Sequence, residues 1–174
     1  SHTDRARTCR FVPFTPMDQD VITERLSGVW SRNDITAEGD SLTLGVELSG
    51  SGELIGDVVL FLRSVEHRGG EVGWVFHPDH GGLGYGTEAA HALLHLAFDG
   101  LGLHRVIARI DPRNDASLRL AERLGMRREA HLIANEWFKG AWSDEIDLAL
   151  LEHEWSAQHA GGADSCRWPL SFPR

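Results

Sequence analysis

The sequence predicts a mixed α/β domain, a β-sheet with helices packed on its faces, in the element order β-α-βββ-α-β-α-ββ. Three observations predict it. Short stretches of alternating apolar residues, punctuated by glycine, fill residues 41–77. Two segments with helical spacing follow residue 80, and strand-like runs return at 104–110 and 126–155. The 174 residues suffice for one domain with a full core, and 41% hydrophobic with 25% charged residues is a globular composition.

Arg10–Phe14, apolar-rich and closed by Pro13 and Pro16, reads as an edge strand. Over Met17–Ser31, Val21, Ile22, Leu26, Val29 and Trp30 recur at helical spacing. Ser41–Leu48 alternates through Leu42, Leu44, Val46 and Leu48, and SGSG at 49–52 turns the chain into a second strand, Glu53–Arg63. Gly69–Gly70 turns it again into Glu71–His77. A glycine-rich loop then opens a helix over Thr87–Phe98, followed by a strand at 104–110. The segment 111–125 holds a short helix that Gly125 closes at C′. MRREAHLIANEWF and SDEIDLALLEHEW read as two last strands joined around Lys139–Gly140. The domain is placed at residues 8–155; residues 156–174 read as a tail, disordered or docked through Trp168 and Phe172.

A net charge of -9 argues against nonspecific nucleic-acid binding, which needs a basic face. An acidic surface concentrates cationic partners such as amines, although it also serves solubility alone. No apolar run approaches the ~18 residues of a membrane span. Cys9 and Cys166 form neither a disulfide framework nor a metal spacing, which suits a reducing compartment and a cytoplasmic location. His91 and His95 stand at a zinc-compatible i, i+4 spacing, but no third ligand and no H-E-x-x-H pattern accompany them, so no metal is expected.

The sharpest feature is Gly81, Gly82, Gly84 and Gly86 ahead of Thr87 and a helix. Glycines admit positive φ and close approach of a ligand to the amides, and a helix start offers unpaired N–H groups with partial positive charge. Together they can cradle a phosphate or pyrophosphate. The plainer alternative is a surface turn with Thr87 as a cap. A P-loop is excluded because no lysine follows the glycines, and G-x-G-x-x-G fails at Thr87.

GWVFHPDHGGLGYGTEAAHALLHLAF, NDASLRLAERLGM and FKGAWSDEIDLALL, in that order, resemble the GNAT superfamily. The branch they are most similar to contains the Rim-type ribosomal-protein N-terminal acetyltransferases. The resemblance implies a GNAT-like fold: a central, mostly antiparallel sheet with a splayed parallel strand pair and helices on both faces. It implies acetyl-CoA as cosubstrate and direct transfer of the acetyl group to a primary amine of a protein N-terminus, amino acid or small molecule. It also places the amides of Gly81, Gly82, Leu83 and Gly84, with those of Tyr85, Gly86 and Thr87, around the coenzyme A diphosphate. Gly81 stands where the family usually has Arg or Gln. The backbone of Trp74, Val75 and Phe76 would pair with the pantetheine arm as an added strand, and Asn114 would contact that arm. Strands 71–77 and 104–110 must splay apart to admit it.

Acyl transfer to an amine needs a base for the ammonium and hydrogen-bond donors for the developing charges. By resemblance Ser117 lies near the thioester sulfur, where its hydroxyl stabilises the thiolate. Its alternative is a place in a helix first turn capped by Asn114. The helix at 115–124 lacks the tyrosine acid common in the superfamily; Tyr85 is the only tyrosine. Glu136, beside Trp137 in an apolar strand, is the first candidate base, because desolvation by an indole raises a carboxylate pKa. Glu71 is the second, and water the third. Trp137 and Trp142 read as core or interface residues before a cation–π wall. Strand edges near 143–151 would permit a homodimer. A non-catalytic acyl-CoA-binding module is the alternative function, kept open by Gly81 and the missing helix tyrosine.

Overall fold

A computed structural model of the chain describes residues 10–11, 19–28 and 34–160. Helix α1 spans Gln19–Ser27. Strands β1 (Ser41–Glu47), β2 (Leu54–Ser64) and β3 (Gly69–Phe76) follow, then helix α2 (Tyr85–His95) and strand β4 (Arg105–Ile110). Helix α3 (Asp115–Arg123), strands β5 (Arg127–Phe138) and β6 (Ala141–Leu151) and helix α4 (Glu152–His159) complete the described chain. The six strands form one sheet in the order β1-β2-β3-β4-β6-β5, antiparallel except for the β3–β4 pair.

Period-two alternation divides the sheet into two unlike faces. Val58, Leu60 and Leu62 of β2, Val106 and Ala108 of β4, and Leu148 and Leu150 of β6 are buried on one face. Leu93 and Leu94 of α2, Leu118 and Ala121 of α3 and Trp155 of α4 join them in a single core. Each such aliphatic side chain contributes roughly 2 kcal/mol when fully buried. The register places Thr43, Asp57, Glu71, Arg109 and Glu145 on the opposite, polar face. That face carries the site.

Helix α3 ends as the sequence expects. Gly125 adopts φ 82°, its N–H bonds to the Glu122 carbonyl at 3.0 Å, and Met126 N–H bonds to Ala121 O at 3.1 Å. These two bonds are the Schellman pattern that satisfies the last carbonyls.

Four expectations need correction. Glu152–Trp155 opens helix α4 and does not continue a strand, because Glu154 reaches back to the Leu151 N–H (2.8 Å) and caps a new helix start. Residues 143–151 are no sheet edge: β6 pairs with β4 on one side and β5 on the other, so β1 and β5 are the edges. Trp137 and Trp142 are not core residues; each is 62% exposed and they pack edge-to-face on one another. Arg10 and Phe11 form a turn where a strand was expected, and the rest of Arg10–Phe14 lies outside the described residues. So do the end of the first helix at 29–31, both cysteines, Trp168 and Phe172. Among the described residues no helix is long and apolar enough to cross a membrane.

Candidate active site

Strands β3 and β4 pair in parallel only over Gly69–Glu71 and Arg105–Ile107. Beyond Glu71 they separate. β3 keeps its antiparallel partner β2 up to Phe76, so Trp74, Val75 and Phe76 have one edge in the sheet and one edge open toward β4. Backbone polar groups left open in this way invite an extended ligand that completes their hydrogen bonds.

The open edge leads into the glycine loop. Pro78–His80 makes one 3-10 turn, capped where His77 Nδ1 accepts from Asp79 N–H at 3.4 Å. Gly82 (φ 78°) and Gly84 (φ 91°) then take left-handed backbone, and Gly84 is the N-cap of α2 with no side-chain cap bond. The helix therefore starts at Tyr85, two residues before the expected Thr87. Two of the expected amides are already paired, Thr87 N–H to Gly84 O at 3.0 Å and Gly81 N–H to Pro78 O at 3.1 Å, which leaves those of Gly82, Leu83, Gly84, Tyr85 and Gly86 open to a ligand. Gly86 is also needed for space: a Cβ there would lie 3.0 Å from Leu120 Cδ1 and 3.2 Å from Phe76 Cε2. Arg123 of α3 donates from Nε to Thr87 Oγ1 at 3.2 Å. A guanidinium thus stands at the loop although Gly81 carries none. The sequence reading missed it, since the two residues are 36 positions apart. A groove of about 650 Å³ runs along these elements.

A second cleft of about 640 Å³ opens on the polar face of the sheet. Trp74, Val75, Asn114 and Ser117 line both spaces, so the two meet there. Asn114 caps α3, its Oδ1 accepting from Ser117 N–H at 3.2 Å, which leaves its amide NH2 for other partners. Trp74 Nε1 donates to Ser117 Oγ at 3.1 Å. A hydroxyl that accepts from an indole keeps its own proton to donate elsewhere. The cap and the chemical role compete in the sequence reading; the cap bond forms, and it uses neither the Asn114 NH2 nor the Ser117 hydroxyl.

The second cleft is rich in carboxylates, and their environments differ. Glu71 is 14% exposed and lies 2.9 Å from Arg63 Nε and 3.6 Å from Arg109 Nε. Hydrogen bonds from Arg113 hold Asp111 below the usual carboxylate range against the opposing effect of burial, and Ser143 Oγ adds another at 2.9 Å. Asp144 is also lowered, first by the Ala134 N–H at 2.9 Å. Burial pushes Glu145 up, with Arg109 opposing. Burial likewise raises Asp57 of β2 from 3.8 to about 6.

Glu136 lines the cleft opposite Ser143 but is exposed. Trp137 does not cover it, because adjacent strand residues point to opposite faces. Asp57 was missed for a related reason: nothing in GDVVLFLR marks a lone aspartate as facing a cleft until the register of three strands is known. The histidine pair belongs elsewhere: His91 Nε2 lies 2.8 Å from His159 Nε2, and His95 Nδ1 lies 2.9 Å from Asp99. Among the described residues no cluster of three or more His, Cys, Asp or Glu has the arrangement of a metal site.

Comparison with known proteins gives this geometry its family. The family model "Acetyltransferase (GNAT) domain" matches residues 2–127. The N-acetyltransferase YnaD of Bacillus subtilis (strain 168), itself uncharacterized, is 41% identical over 108 residues, which are 59% of this chain and 60% of that protein. The spermidine N(1)-acetyltransferase of Escherichia coli (strain K12) is 26% identical over 108 residues, 62% of this chain and 58% of that one. The matches thus span less than two thirds of these relatives' own lengths. A crystal structure of a GNAT-family acetyltransferase from Bacillus anthracis superposes with a TM-score of 0.75 at 30% identity, covering 88% of this chain and 86% of that one. The Vibrio cholerae spermidine N-acetyltransferase solved with CoA and spermine shares the fold, with a TM-score of 0.73 at 21% identity over 88% and 89% of the two chains. The open β3 edge, the uncapped glycine loop and these matches agree: the chain belongs to the GNAT acetyltransferase family.

Proposed function

We propose that the chain transfers an acetyl group from acetyl-CoA to a primary amine, and that its acceptor is a small, multiply cationic amine. The single observation that carries this is the junction at Trp74, Val75, Asn114 and Ser117 between a groove with open amides and a cleft lined by carboxylates. The loop amides from Leu83 to Gly86, with Arg123 beside Thr87, offer the diphosphate its hydrogen bonds and charge. The open edge of Trp74–Phe76 offers pairing to the pantetheine arm, and the Asn114 amide a further donor. Bound acetyl-CoA supplies an acetyl thioester, whose sulfur the Ser117 hydroxyl stabilises as it leaves. Glu71, Glu136 and Glu145 give the neighbouring cleft a negative field that draws in a cation. Relatives named for spermidine acetylation support a polyamine over the N-terminal acceptors of the Rim-type enzymes.

The test is release of free coenzyme A with a panel of spermidine, amino acids and ribosomal-protein N-terminal peptides. The reading expects turnover with spermidine above the others. Ser117→Ala should lose about 10²-fold in kcat, the scale of one lost donor to developing charge, while still binding coenzyme A. Preference for the peptides would restore the Rim-type reading. Binding without release for any acceptor would make the chain an acyl-CoA-binding module.

A further inference from the structure

We infer that Asp57 of β2 is the base that takes the proton from the acceptor ammonium; this rests on the acetyltransferase reading above. The first ground is position. Asp57 is the cross-strand partner of Val75, so its side chain rises on the cleft side of the sheet beside the residue at which the two spaces join. Neighbouring strands lie about 4.8 Å apart, which sets the carboxylate one strand from the open β3 edge.

The second ground is availability. The other candidates are committed or wet: Glu71 to Arg63 and Arg109, Asp111 to Arg113 and Ser143, Asp144 to Ala134 and His131. Glu145 accepts from Asn135 Nδ2 at 3.0 Å, and Glu136 is exposed to solvent. Among the described residues Asp57 has no hydrogen-bond or ion-pair partner, and burial alone shifts it. The groups facing it across the sheet are the uncharged Gly45 of β1 and Val75 of β3. A base working near neutral pH needs a carboxylate raised toward 6–7, free of cations and within reach of the amine. Asp57 alone combines these.

Asp57 accepts one proton from R–NH3+. The freed lone pair forms the C–N bond, the C–S bond breaks with its electrons on sulfur, and the second nitrogen proton passes to that sulfur, giving amide and free thiol. Asp57 then returns its proton to water.

The experiment measures kcat and KM between pH 5 and 9 for wild type, Asp57→Asn, Asp57→Glu and Glu136→Gln, using the best acceptor of the panel, with coenzyme A affinity by titration. In the wild type, kcat should fall tenfold per pH unit below about 6. Asp57→Asn should lose about 10²- to 10⁴-fold at pH 7.5 together with this acidic limb, at unchanged coenzyme A affinity. Asp57→Glu should keep the limb. An Asp57→Asn protein that retains both rate and limb overturns the inference. So does one that raises only the acceptor KM, or a limb that disappears with Glu136→Gln instead. A wild type that binds coenzyme A yet acetylates no amine refutes the transferase reading itself.

Discussion

Asp57→Asn should stabilise the fold while removing activity. In the folded chain burial raises the Asp57 carboxyl from 3.8 to about 6, so ionising it there costs more than in the unfolded chain. Between these values the native state binds the extra proton, and stability from this group falls as pH rises. The cost is absent below about pH 4 and complete above about pH 6. A shift of 2.2 units (6 minus 3.8) corresponds to at most about 3 kcal/mol. Partial solvent access to the cleft reduces the expected value to roughly 1–2 kcal/mol. Asparagine is nearly isosteric and never ionises, so it escapes the cost. Urea melts should show the variant more stable by that amount at pH 8, with a Tm about 2–8 °C higher, and equal to wild type at pH 4. Equal stability at both pH values would refute the claim that Asp57 is held ionised at a cost. A loss at pH 8 would show that its carboxylate has a partner.

Gly84→Ala places a side chain at φ 91°, where a non-glycine residue costs about 1–2 kcal/mol. Open space surrounds the new methyl, so the effect is conformational, and coenzyme A should bind roughly 5- to 30-fold more weakly by calorimetric titration. Unchanged affinity would remove the loop from the binding site. Trp155→Ala empties the core where α4 docks: the indole is 2% exposed, stacks on Phe98 and donates to Asp99 at 2.8 Å. Denaturant melts should show a loss of about 3–5 kcal/mol, and a loss below 1 kcal/mol would mean that α4 is not part of the cooperative unit.

Local chemistry made much of the fold legible. Leu42 and Val46 of β1 are half-buried as an alternating strand predicts, with Leu44 between them exposed, and Gly125 ends α3 as a helix stop must. The strand reading of Glu152–Trp155 failed because an apolar run into EHEW looks the same whether it stays extended or is capped; the Glu154 back-bond decides, and it needs a turn already formed. The proposed cofactor groove was readable because the binding groups assigned to it are backbone amides, in a loop of glycines close together in sequence.

The acidic cleft was not readable in that way. Its carboxylates come from β2, β3, β5, β6 and the loop after β4, and the sequence determines only that they exist. Their surroundings are set by the fold: two guanidiniums stand beside Glu71, solvent beside Glu136, and burial raises the Asp57 carboxyl. The sequence by itself determined the order of the elements from β1 to β6 and the glycine loop, since both depend on residues within a few positions of one another. Only the tertiary structure decided how each of these acids is paired and buried, because charge and burial act through space across strands far apart in the chain.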